Sequence, residues 1–493
     1  MSVRGELAPL LRLRWAQLFV LAALLVVVGT AAMELKFSVL DLDVWWHLKS
    51  GDWIVQHAAF PHTGILSRTA ADRPWAAYSW GYEVLLSRFY AWFGLLGVGI
   101  YGTALTVLVA LAVYWMVRSL CGRFWPACLL AGVASYAFLF TMMPRPVFFS
   151  IMLCCATLTL ILQAQRNDHV QTLYWLPLLF LFWVNLHIQF IYGLAIVAVF
   201  VAATIGVHLA EHLGVNPELF ATPKFRAGTL LGVFGACFLA TLIGPYSYHV
   251  YGVILGYSRS QLIYSIIQEL QPLSFRASNN YVELLLGGAA FVALGWQKKL
   301  DLFKLLLLVM ASMVAFRTMR DSWFLCVIAA ACIADTLGAD AEPEPRESPL
   351  ELGGVLVSVL VILLLFASTT DFTLPGIDRA ISGRFPVMAS NFVHQNRLPG
   401  PIYNTFDWGG FLTWYMPEYP VSIDGRTDLY GDALTKLLVD TQTGAGPYTG
   451  NPYLGEARLV LLHRQDGLAS ALRVDPHYRK VYEDQLTVLF VRE

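Results

Sequence analysis

The chain has 493 residues, of which 57% are hydrophobic and 14% charged, and its formal net charge is −1. A soluble domain carries roughly a quarter charged residues, so a wholly soluble protein is excluded. The near-zero charge and the lack of a long basic run also leave no footing for nucleic acid. The seven cysteines (Cys121, Cys128, Cys154, Cys155, Cys237, Cys326 and Cys332) all fall in or beside apolar runs. That placement argues against a disulfide framework or a cysteine metal site.

In chain order, apolar stretches approaching the ~20 residues of a bilayer crossing lie near 15–33, 94–117, 125–141, 146–162, 171–184, 189–207, 227–243, 280–296, 302–316, 322–337 and 350–367. The first follows Arg4, Arg12 and Arg14 and reads as an uncleaved first helix rather than a signal peptide. The pattern predicts an α-helical polytopic membrane protein with about eleven spans over residues 1–368 and a long first outer loop at 34–93. A small extracytoplasmic α/β domain is expected over 369–493. With Arg4, Arg12 and Arg14 inside, Arg118/Arg123, Arg166, Lys224/Arg226 and Lys298/Lys299 fall inside as well. The N-terminus is then in the cytoplasm, the tail lies outside, and the expected location is the cytoplasmic (inner) membrane.

The first outer loop opens on Asp41-Leu-Asp43-Val-Trp45-Trp46-His47-Leu-Lys49. If helical, it sets Asp43 and His47 on one face, one turn apart, as a general base requires. Asp41 and Asp43 together also suit a hard divalent cation, Mg or Mn, through oxygen ligands. Trp45 and Trp46 read either as platforms for a sugar ring or as part of an interfacial belt with Trp53, Trp75, Trp80 and Trp92.

This loop, continued by Pro61-His-Thr-Gly-Ile-Leu-Ser67-Arg-Thr69, Pro74-Trp75 and Trp80-Gly-Tyr-Glu83, resembles the membrane glycosyltransferases of the GT-C superfamily. It is similar to uncharacterised bacterial members, with Gly64 standing where another aspartate is expected. The resemblance implies a sugar donor carried on polyprenyl phosphate and transfer at the outer membrane face. It makes Asp43 the base toward the acceptor or, as in oligosaccharyltransferases, a residue that helps hold a metal ion.

Further outer residues follow. Arg145, between Pro144 and Pro146, suits a carrier phosphate or lipid headgroups. Asn185-Leu-His187-Ile-Gln189 interrupts an apolar stretch, so that His187 either lines a cavity or sits in a satisfied turn. Arg317 and Arg320 share one helix face beside Asp321 and suit the leaving phosphate of a lipid-linked donor.

In the tail, Pro401–Thr405, Pro420–Asp424, Ala457–His463 and Leu486–Arg492 read as strands, with helices near 386–397, 433–442 and 466–473. Asn404-Thr-Phe-Asp407-Trp408-Gly-Gly410 and Ile423-Asp424-Gly-Arg426-Thr-Asp428 place acids and aromatics after strands. Asp407 and Trp408 read as an acceptor site or as a helix start. Asp424 and Arg426 read as an acceptor site or as an internal ion pair. The Asp-Trp-Gly-Gly cluster loosely resembles the tryptophan-aspartate motif with which oligosaccharyltransferases grip a peptide.

The leading expectation is a glycosyltransferase moving a hexose or pentose from a polyprenyl-phosphate donor to a glycan, lipid or protein acceptor within membrane lipid. The alternatives are oligosaccharyltransferase-like protein glycosylation and, in another class, a transporter or flippase of a lipid-linked sugar.

Overall fold

The computed structural model describes residues 37–139, 142–216, 218–339 and 373–493, with scattered positions between 17 and 25 and between 353 and 364. The spans expected at 15–33 and 350–367 lie mostly outside the described residues. Along the chain run α1 (Phe37–Leu40), α2 (Val44–His57), α3 (Trp80–Phe93), α4 (Leu95–Cys121), α5 (Phe124–Leu139), α6 (Val147–Asn167) and α7 (Leu176–Leu186). Then come α8 (Phe190–His212), α9 (Ala227–Ala240), α10 (His249–Arg259), α11 (Gln261–Ile266), α12 (Ser278–Gly295), α13 (Leu302–Arg317) and α14 (Ser322–Gly338). The tail holds α15 (Leu374–Arg384), α16 (Val387–Asn396), β1 (Ile402–Asn404), α17 (Gly409–Tyr415), α18 (Thr427–Thr443), α19 (Pro452–Glu456), β2 (Leu459–His463), α20 (Gly467–Leu472), β3 (Tyr478–Glu483) and β4 (Thr487–Arg492).

The expected spans between 94 and 337 coincide with α4 to α9 and α12 to α14. Among the described residues, Leu95–Cys121, Val147–Asn167, Phe190–His212 and Met319–Gly338 are each long and apolar enough to cross a membrane, and Phe124–Phe138, Val170–Leu186 and Ala227–Ala240 are shorter apolar helices.

The chain divides into two compact units. The first comprises Met1–Leu35, Gly102–Ser247 and Ile267–Thr370. Its centre is α14, which packs on α5, α6, α12 and α13. The run Ala329-Ala-Ala-Cys332 is buried there, and such small side chains let helix backbones approach closely. A charge cluster ties three helices together: Asp335 on α14 meets Arg166 of α6 and Lys304 of α13, and Lys304 also reaches Asp301, 3.3 Å away. Asp301 additionally starts α13, accepting the Lys304 N–H.

The second unit comprises Lys36–Tyr101, Tyr248–Ile266 and Asp371–Glu493. The first loop is thus part of the same body as the tail. Helix α2 packs on α3 and on α17. The tail sheet has the order β1-β2-β4-β3, with β1 and β2 parallel and the other pairs antiparallel. Helix α16 lies against β3 and β4, and α20 against β2.

Two tail elements differ from expectation. Residues 420–424 form no strand, only an isolated bridge between Ser67 and Val421. The Asn404 side chain takes the place of a ladder there, accepting from Ser422 N at 2.8 Å and donating to the Ile423 carbonyl. Conversely, β3 is a strand whose Arg479, Lys480 and Glu483 mask the apolar alternation. Charges of this kind guard a sheet edge.

Trp45 is fully buried. Its ring meets Phe385, Phe411 and Trp414, the last at a centroid distance of 4.5 Å. The expectation that it offers an open face to sugar or lipid is therefore corrected: it joins α2 to the tail core. Truncating a buried aromatic of this size costs about 3–5 kcal/mol. Trp45→Ala should accordingly lower the unfolding temperature of the purified protein by several degrees, whereas Trp92→Ala, at a ring that is 66% exposed, should leave it nearly unchanged. Equal shifts in differential scanning fluorimetry would contradict this packing.

Candidate active site

The candidate residues of the first loop converge at the start of α2. Asp41 is buried and turned inward; its Oδ1 accepts the Asp43 backbone N–H at 3.1 Å, which shapes the entry to the helix. Asp43 is half-buried, and its Oδ1 accepts the Trp46 indole N–H at 3.0 Å. A charge-assisted bond of this kind fixes the carboxylate's rotamer.

His47 lies one turn further on, and the carboxylate it meets is that of Glu83 on α3, with Nδ1 and Oε1 3.0 Å apart. Sequence spacing pairs His47 with Asp43; the structure adds a partner from another helix. Glu83 is 1% exposed and its Oε2 makes no hydrogen bond. Burial pushes its carboxyl up to about 8, opposed by the Arg426 charge and reinforced by Asp428. The raised carboxyl favours the protonated form, in which Glu83 donates to Nδ1 and the ring's own proton sits on Nε2. This residue was missed as a site residue because an acid in the first turn of a helix reads as a complement to the helix dipole.

The tail closes one side of this cluster. Asp424 and Arg426 form a fully buried ion pair, Oδ2 to Nη2 at 2.7 Å. Asp424 also accepts the Arg426 backbone N–H and the Tyr430 hydroxyl. Arg426 Nη1 reaches the Ile65 carbonyl at 2.8 Å, and its guanidinium stacks 4.7 Å from the Trp75 ring centre. Of the two sequence readings for Asp424 and Arg426, the internal ion pair is the one observed. The pair fixes the loop from Ile65 to Trp75, which Arg68 joins to Tyr453 and Glu456, and Arg73 to the Tyr430 carbonyl. Asp428, pushed up to about 6 by burial against the opposing Arg426 charge, receives the Tyr257 hydroxyl at 3.4 Å.

Gly425 comes closest to Asp43. A Cβ at this position would stand 2.1 Å from Asp43 Oδ1 and 3.2 Å from Trp46 Nε1, so any larger residue would push the Asp43 carboxylate aside. Asp407 and Trp408 make a different set of contacts. Trp408 is buried against His463, with ring centres 3.8 Å apart, and Asp407 Oδ2 lies 3.9 Å from His463 Nε2.

The remaining candidates belong to the first unit. Arg145 Nη1 donates to both oxygens of Glu269, at 2.8 and 3.1 Å. His187, in the turn between α7 and α8, is buried against the Ser150 hydroxyl at 2.8 Å, and Ser150 also accepts from Trp183. Arg317 is exposed and Arg320 half-buried at the end of α13 and in the turn after it. Asp321 in that turn accepts from Gln189 and Thr318, both at 2.7 Å.

A divalent cation at the first loop would draw on Asp41 and Asp43, each with one oxygen already accepting an N–H. Among the described residues no group of three or more His, Cys, Asp or Glu side chains is arranged to hold a metal ion.

The chain is similar in structure to the apo oligosaccharyltransferase of Archaeoglobus fulgidus, with 11% identity and a TM-score of 0.50 over 96% of this chain and 74% of that one. It is also similar to ArnT of Cupriavidus metallidurans bound to undecaprenyl phosphate, with 13% identity and a TM-score of 0.44 over 95% and 97%. The likeness to the archaeal oligosaccharyltransferase is one of fold. No protein-family model matches the sequence, and no curated protein matches it.

The Glu83–His47 pair has a pH signature. A carboxyl raised from 4.5 unfolded to about 8 folded gives stability that is full below pH 4.5 and is lost as pH rises toward 8. Wild-type protein should therefore lose stability from pH 5 to pH 8, with a slope of at most about 1.4 kcal/mol per pH unit. In Glu83→Gln this slope should flatten. Parallel melting-temperature profiles for the two proteins would refute a protonated Glu83.

Proposed function

We propose that this chain is a membrane glycosyltransferase that moves a sugar from a polyprenyl-phosphate carrier to an acceptor at the outer face of the membrane. The observation that carries this reading is Asp43: a half-buried carboxylate, held by the Trp46 indole beside the His47–Glu83 pair, in a chain with the GT-C fold. In this reading the N-terminus is cytoplasmic, about eleven helices span the membrane, and the tail lies outside, as the distribution of basic loops favours.

The reaction is a single displacement. Asp43 takes the proton of the acceptor hydroxyl, whose oxygen attacks the anomeric carbon of the donor. The bond from that carbon to the carrier phosphate breaks with its electron pair, releasing polyprenyl phosphate and inverting the anomeric centre. His47, oriented by Glu83, positions the acceptor through its Nε2–H. Arg317 and Arg320, with Arg145 held by Glu269, would offset the charge that grows on the leaving phosphate. Trp46 lines the acceptor side, and Asp424 with Arg426 holds the Ile65–Trp75 loop against it.

A second reading, transfer of a preassembled glycan to protein, is favoured by the likeness in fold to an archaeal oligosaccharyltransferase. It brings a divalent cation to Asp41 and Asp43, and Asp407 and Trp408 to the acceptor peptide.

Release of polyprenyl phosphate from a panel of polyprenyl-phosphate sugars tests both readings, with the protein in lipid nanodiscs. Wild type should release it, and Asp43→Asn should lose about 10²–10⁴-fold, the usual worth of a general base. Insensitivity to EDTA favours the first reading, and loss of activity in EDTA favours the second. Absence of release from folded protein with any donor and acceptor extract would reject transfer in favour of transport.

A further inference from the structure

Helix α12 carries a carboxylate that neither the packing nor the chemistry above uses. Glu283 is 1% exposed, and neither of its carboxylate oxygens has a hydrogen-bond partner. Ser322 and Cys326, one turn apart on α14, lie within interaction range of it. The Ser322 hydroxyl is equally buried and near enough to bond Glu283, though outside strict hydrogen-bond geometry. Asn280, three residues before Glu283 on the same helix face, is 3% exposed.

Two other acids among the described residues, Asp335 and the buried Asp424, behave differently. Asp335 is held by Arg166 and Lys304, and Asp424 by Arg426. An unpartnered carboxylate inside a bundle of apolar helices is costly and marks function rather than packing. Its place narrows what it would bind. Ser322 opens α14 and follows directly on the turn that carries Arg320 and Asp321, so the Ser322 end of this pair adjoins in sequence the arginines assigned to the carrier phosphate. A carboxylate offers two parallel acceptor oxygens. Vicinal hydroxyls on a sugar ring offer two donors at a matching spacing, and a serine hydroxyl can serve a third.

We propose that Glu283 and Ser322 form a subsite that binds the ring hydroxyls of the sugar on the polyprenyl-phosphate donor. This rests on the reading of Arg317 and Arg320 as the phosphate grip, and it makes Glu283 a residue that selects the donor.

The test uses the full chain in nanodiscs and dicyclohexylcarbodiimide, which modifies carboxyl groups in apolar surroundings. Modification of Glu283 is followed by peptide mass spectrometry with no lipid, with polyprenyl phosphate, and with each polyprenyl-phosphate hexose or pentose. A glycosylated donor should slow labelling by about tenfold or more, the effect of occupancy at ten times Kd, and polyprenyl phosphate alone should not. Glu283→Leu replaces an unpaired buried carboxylate with a hydrophobe of similar volume, a change that preserves folding. It should weaken binding of the protecting donor about tenfold to a hundredfold without changing the gel-filtration profile.

Turnover of donors that leave labelling unchanged would overturn the subsite and keep the transferase. Protection by a glycosylated lipid without turnover would keep the subsite and overturn the transferase. Equal protection by polyprenyl phosphate would assign Glu283 to the carrier instead and overturn the proposal. Neither protection nor turnover would overturn both.

Discussion

The second unit is organised around two places where the tail backbone presses directly on the start of α2. Gly425 leaves no room for a Cβ against the Asp43 carboxylate, and a Cβ on Gly410 would stand 2.5 Å from the Leu42 carbonyl. Contacts this close are possible only without side chains, and they set the surroundings of Asp43 from residues almost 400 positions away in sequence. The Trp45 ring seals the same junction from behind, among Phe385, Phe411 and Trp414. The tail is therefore not an appendage to the first loop. It forms one wall of the space in which the carboxylate sits.

Electrostatics within this junction follow from burial. The Asp424–Arg426 pair is fully enclosed, and a pair so placed adds little stability over a hydrophobic replacement because both charges have left water. Its effect is positional. With its remaining donors Arg426 holds the Ile65 carbonyl and lies over Trp75, so breaking the pair would leave a charge stranded beside Glu83. That charge also keeps Glu83 from rising further, since it opposes the burial that raises the carboxyl to about 8. The tautomer of His47 is thus tied, through Glu83, to an arginine of the tail.

Much of this was legible in the sequence, and the failures have physical reasons. Helices α4 to α9 and α12 to α14 were visible because apolar runs of that length have few other uses. The Asp41-to-Lys49 segment stands out in the sequence because two acids directly after an apolar run are costly unless used. Glu83 was not, since its partner His47 is 36 residues away and no periodicity links two helices that meet in space. The role of Trp45 was misread because an aromatic near a membrane exit looks the same in sequence whether it faces lipid or a core. The strand expected at 420–424 failed because a side chain, Asn404, satisfies the backbone that a neighbouring strand would otherwise pair.

The first unit shows the complementary case. Arg145 has Glu269, Arg166 has Asp335, and Lys304 has Asp301 and Asp335, so the charges along these helices are largely compensated within the protein. Compensation of this kind fixes helix against helix. Glu283 and Ser322 depart from that pattern at the one end of α14 that is preceded by two arginines. An unsatisfied buried carboxylate is informative, because the same desolvation that makes it costly in isolation strengthens any hydrogen bond a bound group supplies.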